Sequence, residues 1–395
     1  HPDTVLADEA FDITVEGLPA DERVDVVLTS EDGDGESFEE RATVETGNGT
    51  VSLADATVVS ESDDPRDGVV DAGVDVPLPL ALFQFASPLQ LRTYSAPDEH
   101  ELTYRIERDG ETVGKTALSR TYPDFYEFIE PDHPELEGAL YEPADGGTGP
   151  GVVVLHGGYG GPSLAPAARL SARGYTVFAP QYFGAEGLPD GPNSIPIEYV
   201  RDAAMWLRDR EPTSSERVRL FGTSQGGELA LLAGSRFDVF GPVVSVNGSG
   251  LVLEGPTADY RSWSGTSSWT FDGEPVPYVD GEDRASAPAS IDNDELEAAS
   301  IPVESIDGRV VLVSGGDDLV WPSAELQDIA AERLNKHGHT NYEHLVYKNA
   351  GHSILPPYTP AVGLIGEGGT YAGAAEASHD HWGAVLDTFS SLRDR

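Results

Sequence analysis

Residues 218–233 read VRLFGTSQGGELALLA, and the pattern G-x-S-x-G inside them is centred on Ser224. An apolar stretch of β type precedes the pattern and a helix-forming stretch follows it. This context is typical of a nucleophile elbow, a sharp strand-to-helix turn whose glycines let the backbone pass closely. The hydroxyl then points out of the sheet, where helix N-terminal amides can stabilise an oxyanion. We interpret Ser224 as a nucleophile, although an ordinary glycine-serine turn would carry the same letters.

The elbow lies within a long alternation of strands and helices. The runs 152–155, 175–179 and 310–313 are apolar or β-branched. Helical patterns lie between and after them, and the last is at about 379–393. Continuous apolar strands of this kind are typical of a parallel sheet that helices cover on both faces. We therefore predict an α/β domain over residues 131–395.

The first 130 residues have a different pattern. Short alternating or apolar stretches are separated by turn clusters, such as TGNG at residues 46–49. Short strands with regular turn punctuation indicate a β-sandwich, which we place at residues 1–130. The apolar residues 77–85 are interpreted as a loop that faces the second domain.

An aromatic insertion interrupts the alternation at about residues 247–300. It is rich in Trp, Tyr, Gly and Pro. Insertions longer than about 15 residues are usually functional or disordered, and the aromatic side chains favour a folded cap over the site. We expect Tyr260, Trp263 and Trp269 to contact the substrate in an apolar pocket.

The chain carries a large excess of negative charge. Its 69 acidic and 24 basic residues give a formal net charge of −45, and only three of the basic residues are lysines. Such a charge repels itself in dilute salt and is tolerated in concentrated salt, where screening removes the repulsion. The composition resembles that of extremely halophilic archaeal proteins, which implies such a host. It argues against nucleic acid and anionic membranes as partners.

Several further classes are disfavoured by composition. The 39% hydrophobic content argues against acidic disorder, and the absence of cysteine excludes disulfides and a thiolate nucleophile. No stretch approaches the roughly 20 apolar residues that span a bilayer, so we expect no membrane insertion. We expect a cytoplasmic protein, or an exported one if a signal preceded His1. The oligomeric state stays open.

A serine nucleophile needs a histidine base, and the base needs an acid that fixes its tautomer. In α/β-hydrolases the chain order is serine, acid, histidine. His352 lies in a turn directly after the last predicted strand, where the base of that fold belongs. The acid should follow the strand at 310–313, and Asp317 and Asp318 are neighbours there. Spacing alone leaves both aspartates open.

The oxyanion loop should follow the first buried strand, and residues 156–161 read HGGYGG at that place. The amide of Gly158 or Tyr159 would be one donor and the amide of Gln225 the other, each worth about 3 kcal/mol in the transition state. A phosphate-binding loop is disfavoured because the following Lys-Ser/Thr is absent. The sequence HDH at 379–381 has the spacing of metal ligands, but a helix N-terminus explains it equally well. We predict no metal and no cofactor.

Together these motifs resemble the acyl-CoA thioesterase and bile-acid-CoA:amino-acid N-acyltransferase family. The resemblance rests on the elbow through Glu228, on NGS at 247–249, on GGDDLVWPS at 315–323, and on GHSILPPY at 351–358. It implies a β-sandwich followed by an α/β-hydrolase domain, with Asp318 as the acid. The oxyanion loop is closer to that of general esterases and dienelactone hydrolases, and Gln225 stands where relatives often carry lysine.

The resemblance implies a serine hydrolase that cleaves acyl-CoA to free acid and CoA through an acyl-enzyme. Relatives that form amides use cysteine as the nucleophile, so serine favours transfer to water. Three alternatives stay open. They are a carboxylesterase of dienelactone-hydrolase type, an acyltransferase to an amine, and a non-catalytic binding module.

Overall fold

The computed structural model describes residues 1–33, 35–56, 58–59, 76–84, 99–121, 133, 135–143, 148–210, 213, 216–281, 291–360 and 364–390. The N-terminal region contains the strands β1 Thr4–Leu6, β2 Thr14–Glu16, β3 Arg23–Glu31, β4 Ser37–Glu45, β5 Thr50–Ser52, β6 Glu99–Arg108 and β7 Glu111–Thr121. Five of them form a sheet in the order β1-β7-β6-β3-β4, and β2 pairs with β5. Alternating residues of the long strands point inward, and one hydrophobic core joins the two sheets.

The apolar segment predicted as a loop is a helix. Leu78–Gln84 forms α1, and all seven of its residues are buried. Leu80 and Phe83 belong to the core of the N-terminal region, where Phe83 packs against Phe38. The prediction of a loop was wrong because a short run that is apolar on every side is equally suited to a buried helix.

The rest of the described chain holds twelve strands and six α-helices. The strands are β8 Glu137–Tyr141, β9 Gly151–Leu155, β10 Thr176–Gln181, β11 Ile195–Pro196, β12 Val218–Thr223, β13 Phe240–Val246, β14 Glu254–Pro256, β15 Trp263–Ser267, β16 Trp269–Phe271, β17 Glu274–Pro275, β18 Val310–Gly315 and β19 Tyr342–Tyr347. The helices are α2 Leu164–Ala172, α3 Glu198–Arg208, α4 Gln225–Arg236, α5 Asn293–Ala299, α6 Ser323–Lys336 and α7 Tyr371–Ser390.

Seven strands form the central sheet, in the order β19-β18-β13-β12-β9-β10-β8. All neighbours are parallel except β8, which pairs antiparallel with β10 at one edge. Val153 and Leu155 of β9 pack into the core on one face, while Val152 and Val154 pack into the core on the other. Helices α3 and α4 cover the first face and α2 and α7 the second. The prediction of an α/β-hydrolase domain is confirmed.

The topology places a crevice beside the elbow. The chain runs from β9 to β10 on one side and returns to β12 on the other side of β9. In open α/β sheets, ligands bind beyond the carboxyl ends of the strands where the order reverses in this way. The loops after β9 and β12 are those that carry residues 156–161 and Ser224.

The insertion is folded where it is described. Strands β14 and β15 pair with each other, and β16 pairs with β17 and with β11, which fastens the insertion to the chain before α3. Residues 282–290 lie outside the described part. In the described residues, no helix is long and apolar enough to cross a membrane.

The last helix begins earlier than predicted. It runs from Tyr371 rather than from about residue 379, because the Thr370 hydroxyl accepts from the Gly373 amide and opens the first turn. His379 and His381 are therefore inside the helix, not at its N-terminus. The predicted end at residue 393 lies outside the described residues.

Candidate active site

Ser224 sits in a strained turn between β12 and α4. Its φ and ψ angles are 55° and −127°, a conformation that L-residues rarely adopt. The glycines beside it are required by close backbone contacts. A Cβ at Gly222 would lie 2.0 Å from the carbonyl oxygen of Gly226, and one at Gly226 would lie 2.3 Å from that of His156. The turn presents the hydroxyl above the carboxyl ends of the strands.

A hydrogen-bonded chain of three side chains extends from this hydroxyl. The Ser224 Oγ lies 2.8 Å from His352 Nε2, and His352 Nδ1 lies 2.8 Å from Asp318 Oδ2. The acid is 1% exposed and the imidazole 10% exposed. With the Nδ1 proton donated to the carboxylate, Nε2 is free to accept the serine proton. The three residues predicted as nucleophile, base and acid are thus in contact.

The two neighbouring aspartates point in different directions. Asp318 uses its second oxygen to accept from the amides of Val320 and Trp321, which fixes the carboxylate against His352. Asp317 is exposed and accepts instead from the Gly369 amide. Of the two aspartates, only Asp318 contacts the imidazole.

The loop after β9 lies directly beside the serine. A Cβ at Gly157 would lie 3.6 Å from Ser224 Oγ, so the backbone of this loop faces the hydroxyl. Gln225 is the first residue of α4, and the amide of such a residue has no acceptor within its own helix. Its side chain is turned away and donates to Pro192 and Ser268. The amide of Gln225 and one from the loop can therefore face an oxyanion.

His156 opens this loop as a buried, neutral residue. Burial lowers the pKa of its imidazole to about 4. The ring stacks on Tyr182 at 3.9 Å between centroids, and Nδ1 donates to the Gly157 carbonyl at 2.7 Å. Ser224 is not among these partners. His156 therefore supports the loop through its contacts with Tyr182 and Gly157.

The three aromatic residues predicted to bind substrate have different positions. Tyr260 is 53% exposed and its hydroxyl donates to the carbonyl of Gly158. Trp263 is 37% exposed. Trp269 has no exposed surface and its indole donates to Glu228 at 2.6 Å. The prediction for Trp269 was wrong, because its indole N–H is paired inside the core and the ring packs among core residues.

Trp321 contacts the histidine of the site and was not predicted from the sequence as a site residue. Its ring meets the His352 imidazole edge to face, with centroids 5.7 Å apart. It stands three residues after Asp318, within the segment 315–323 that carried the family resemblance. The spacing of Trp321 from the acid was therefore the signal in the sequence that could have identified it as a site residue.

The side chains of His381 and Asp380 bond to separate partners within the protein. His381 is fully buried and donates to the Ala377 carbonyl, while Asp380 accepts from the Tyr347 hydroxyl. No group of three or more potential ligands occurs in the part of the chain that the structure describes.

A strained elbow serine, a buried acid-histidine pair and an amide-lined loop define an α/β-hydrolase site. Residues 195–391 match the model of the family described as BAAT / Acyl-CoA thioester hydrolase C terminal. These residues therefore carry the C-terminal domain of that family.

The chain is similar to several known proteins and solved structures. The chain is 28% identical over 270 residues to acyl-coenzyme A thioesterase 2, mitochondrial, of Mus musculus, covering 65% of this chain and 57% of that protein. It is 28% identical over 408 residues to acyl-coenzyme A thioesterase 1 of Rattus norvegicus, covering 98% and 92%. A puromycin-hydrolyzing peptidase of Mycobacterium tuberculosis aligns with a TM-score of 0.45 and 16% identity, covering 92% of this chain and 53% of that one.

Proposed function

We propose that this protein is a serine hydrolase that cleaves acyl-CoA thioesters to a free acid and CoA. The observation that carries the proposal is the hydrogen-bonded chain from Ser224 through His352 to Asp318. The family match and the thioesterase names of the relatives support the choice of thioester as the bond that is cleaved.

The proposed reaction has two halves. Ser224 attacks the thioester carbonyl while His352 takes its proton, and the oxyanion is held by the Gln225 amide and by that of Gly158 or Tyr159. The tetrahedral intermediate collapses, and the imidazolium donates its proton to the leaving thiolate. Water then attacks the acyl-serine with His352 as base, which releases the acid and restores the serine. Asp318 holds the tautomer throughout.

An apolar acyl group is favoured by the rim of the site. Four of the nine large hydrophobic side chains exposed in the described residues lie on the oxyanion loop, the cap turn and the acid loop. They are Tyr159, Tyr260, Leu319 and Val320. Because the surface of this chain is otherwise strongly acidic, apolar exposure at these loops favours a hydrophobic ligand.

Arg261 of the cap is a candidate contact for the phosphates of CoA. Arg261 follows Tyr260 in the cap. Its side chain is 85% exposed, and its Nε lies 3.8 Å from Asp259 Oδ2. An arginine so placed can hold a phosphate. The net charge of −45 opposes an anionic substrate in dilute salt, which keeps a neutral ester as the second candidate.

Substrate assays in molar salt test the proposal. Short and long acyl-CoAs are compared with neutral aryl esters, with Ser224→Ala as the control and a fluorophosphonate as the label. We expect acyl-CoA cleavage that Ser224→Ala abolishes, and an Arg261→Ala variant with a raised KM for acyl-CoA alone. Ester cleavage without acyl-CoA cleavage would replace the thioesterase by an esterase. If neither substrate is cleaved and Ser224 is not labelled, the protein would instead be a non-catalytic binding module.

A further inference from the structure

We propose that Asn247 is a positioning residue that sets the distance between the acid loop and the histidine loop. The inference rests on the proposed serine hydrolase. Asn247 follows the last residue of β13, is 1% exposed and has a φ of +47°. Its amide group joins backbone segments 68 and 104 residues further along the chain.

The amide oxygen of Asn247 faces the acid loop. It accepts from the Gly315 amide at 2.7 Å and from the Ser323 hydroxyl at 3.2 Å. Gly315 is the last residue of β18, three residues before Asp318, and Ser323 begins α6. The two bonds therefore hold both ends of the loop that carries the acid.

The amide nitrogen of Asn247 faces the histidine loop. It donates to the carbonyl of Gly351 at 3.2 Å and to the carbonyl of His352 itself. The partners fix the orientation of the side chain, because the opposite assignment would set an oxygen against two carbonyls. One planar group thus spans the two loops at a fixed separation.

The backbone around Asn247 reaches the remaining parts of the site. Its carbonyl accepts from the indole of Trp321 at 2.9 Å, and that ring packs against His352. The preceding residue, Val246, accepts from the amide of Ser224 at 2.8 Å. The end of β13 therefore contacts the nucleophile, the acid loop and the histidine loop.

The chemistry of the position explains why asparagine serves there. The left-handed φ is tolerated by asparagine and glycine and disfavoured for most other residues. Aspartate has the same shape but lacks the donor that the two carbonyls need, and glycine keeps the backbone while removing the amide. The pair Asn247→Gly and Asn247→Asp therefore separates the backbone requirement from the side-chain bonds.

The test measures kcat, KM and the rate of fluorophosphonate labelling for Asn247→Gly and Asn247→Asp, together with the melting temperature. Ser249→Ala is the matched control, because Ser249 is equally buried and, in the part of the chain that the structure describes, its hydroxyl bonds only within residues 249–251. We expect both Asn247 variants to lose about 10²-fold in kcat and in labelling rate with KM little changed, since small misplacements of catalytic groups have effects of this size. Ser249→Ala should lower the melting temperature without the loss in kcat.

Ser323→Ala supplies a milder variant if the Asn247 variants do not fold. It removes one bond to the Asn247 oxygen and should lower kcat about fivefold, the effect of one neutral hydrogen bond. The inference is overturned if folded Asn247 variants, or Ser323→Ala in their place, keep the kcat of the parent protein. A parent protein that cleaves neither thioester nor ester, and is not labelled at Ser224, would instead refute the proposed function.

Discussion

The hydroxyl of Tyr260 donates a hydrogen bond to the carbonyl of Gly158, and so fastens the cap to the loop beside Ser224. The amide N–H of Tyr159 belongs to the same peptide unit and points away from that carbonyl. The cap therefore fixes the direction of a candidate oxyanion donor.

Replacing this hydroxyl should weaken catalysis moderately. Tyr260→Phe keeps the ring and removes the bond, and we expect kcat to fall about fivefold because one neutral hydrogen bond is lost. The control is Tyr278→Phe, which removes a hydroxyl bonded to Gly265 elsewhere in the cap. Equal effects in the two variants would contradict the role given to Tyr260.

The acid is tested by exchanging each aspartate for asparagine. Asp318→Asn should lower kcat about 10⁴-fold, because the amide favours the wrong tautomer of His352. Asp317→Asn removes the charge of an exposed residue that bonds to the Gly369 amide, and should leave kcat within about threefold. Steady-state kinetics of both variants tests which aspartate is the acid. A larger loss of kcat in Asp317→Asn than in Asp318→Asn would reverse the assignment.

Trp269 should matter for stability and not for substrate binding. Its indole donates to the buried carboxylate of Glu228, which also accepts from the Leu253 amide. Trp269→Phe should lower the free energy of unfolding by about 2–3 kcal/mol, since a buried hydrogen bond to Glu228 is lost and a smaller ring leaves a gap. Denaturant unfolding and KM are measured together. A raised KM with unchanged stability would restore the substrate role first predicted for this residue.

Acid should destabilise the protein through its buried histidines. Burial lowers the pKa of His381 from 6.5 to about 4, so the folded state favours the neutral ring. Its contribution is fully present above pH 6.5 and is lost as the pH falls towards 4, because the unfolded chain binds the proton first. His100 and His156 are shifted in the same way.

The corresponding experiment uses His381→Gln. It should reduce the loss of unfolding free energy between pH 7 and pH 5 by about 2 kcal/mol in high salt. His337→Gln changes a side chain that is 42% exposed and is the control. An unchanged pH dependence in His381→Gln would contradict the assignment.

The sequence predicted those features that depend on local pattern. Runs such as 152–155 and 310–313 are apolar on every residue because both faces of the sheet are covered, and that pattern carried the fold. The chain order of the hydrolase motif placed His352 after the last strand, where it contacts Ser224.

Features that depend on the course of a loop or on distant contacts were not predicted from the residues alone. The choice between the aspartates follows from the amides of Val320 and Trp321, which spacing does not reveal. Composition placed Trp269 in the cap but did not say which aromatic side chains turn inward. Asn247 meets its partners 68 and 104 residues away, so its role could be seen only in the folded chain.

Trapping the acyl-enzyme tests the central claim most directly. The protein is mixed with acyl-CoA in molar salt and quenched in acid within the first turnover. The mass of the peptide that contains Ser224 is then measured by mass spectrometry. We predict a burst of free CoA and a mass increase of one acyl group on that peptide, with neither in Ser224→Ala. Release of CoA without an adduct on Ser224, at the same rate in Ser224→Ala, would contradict the account.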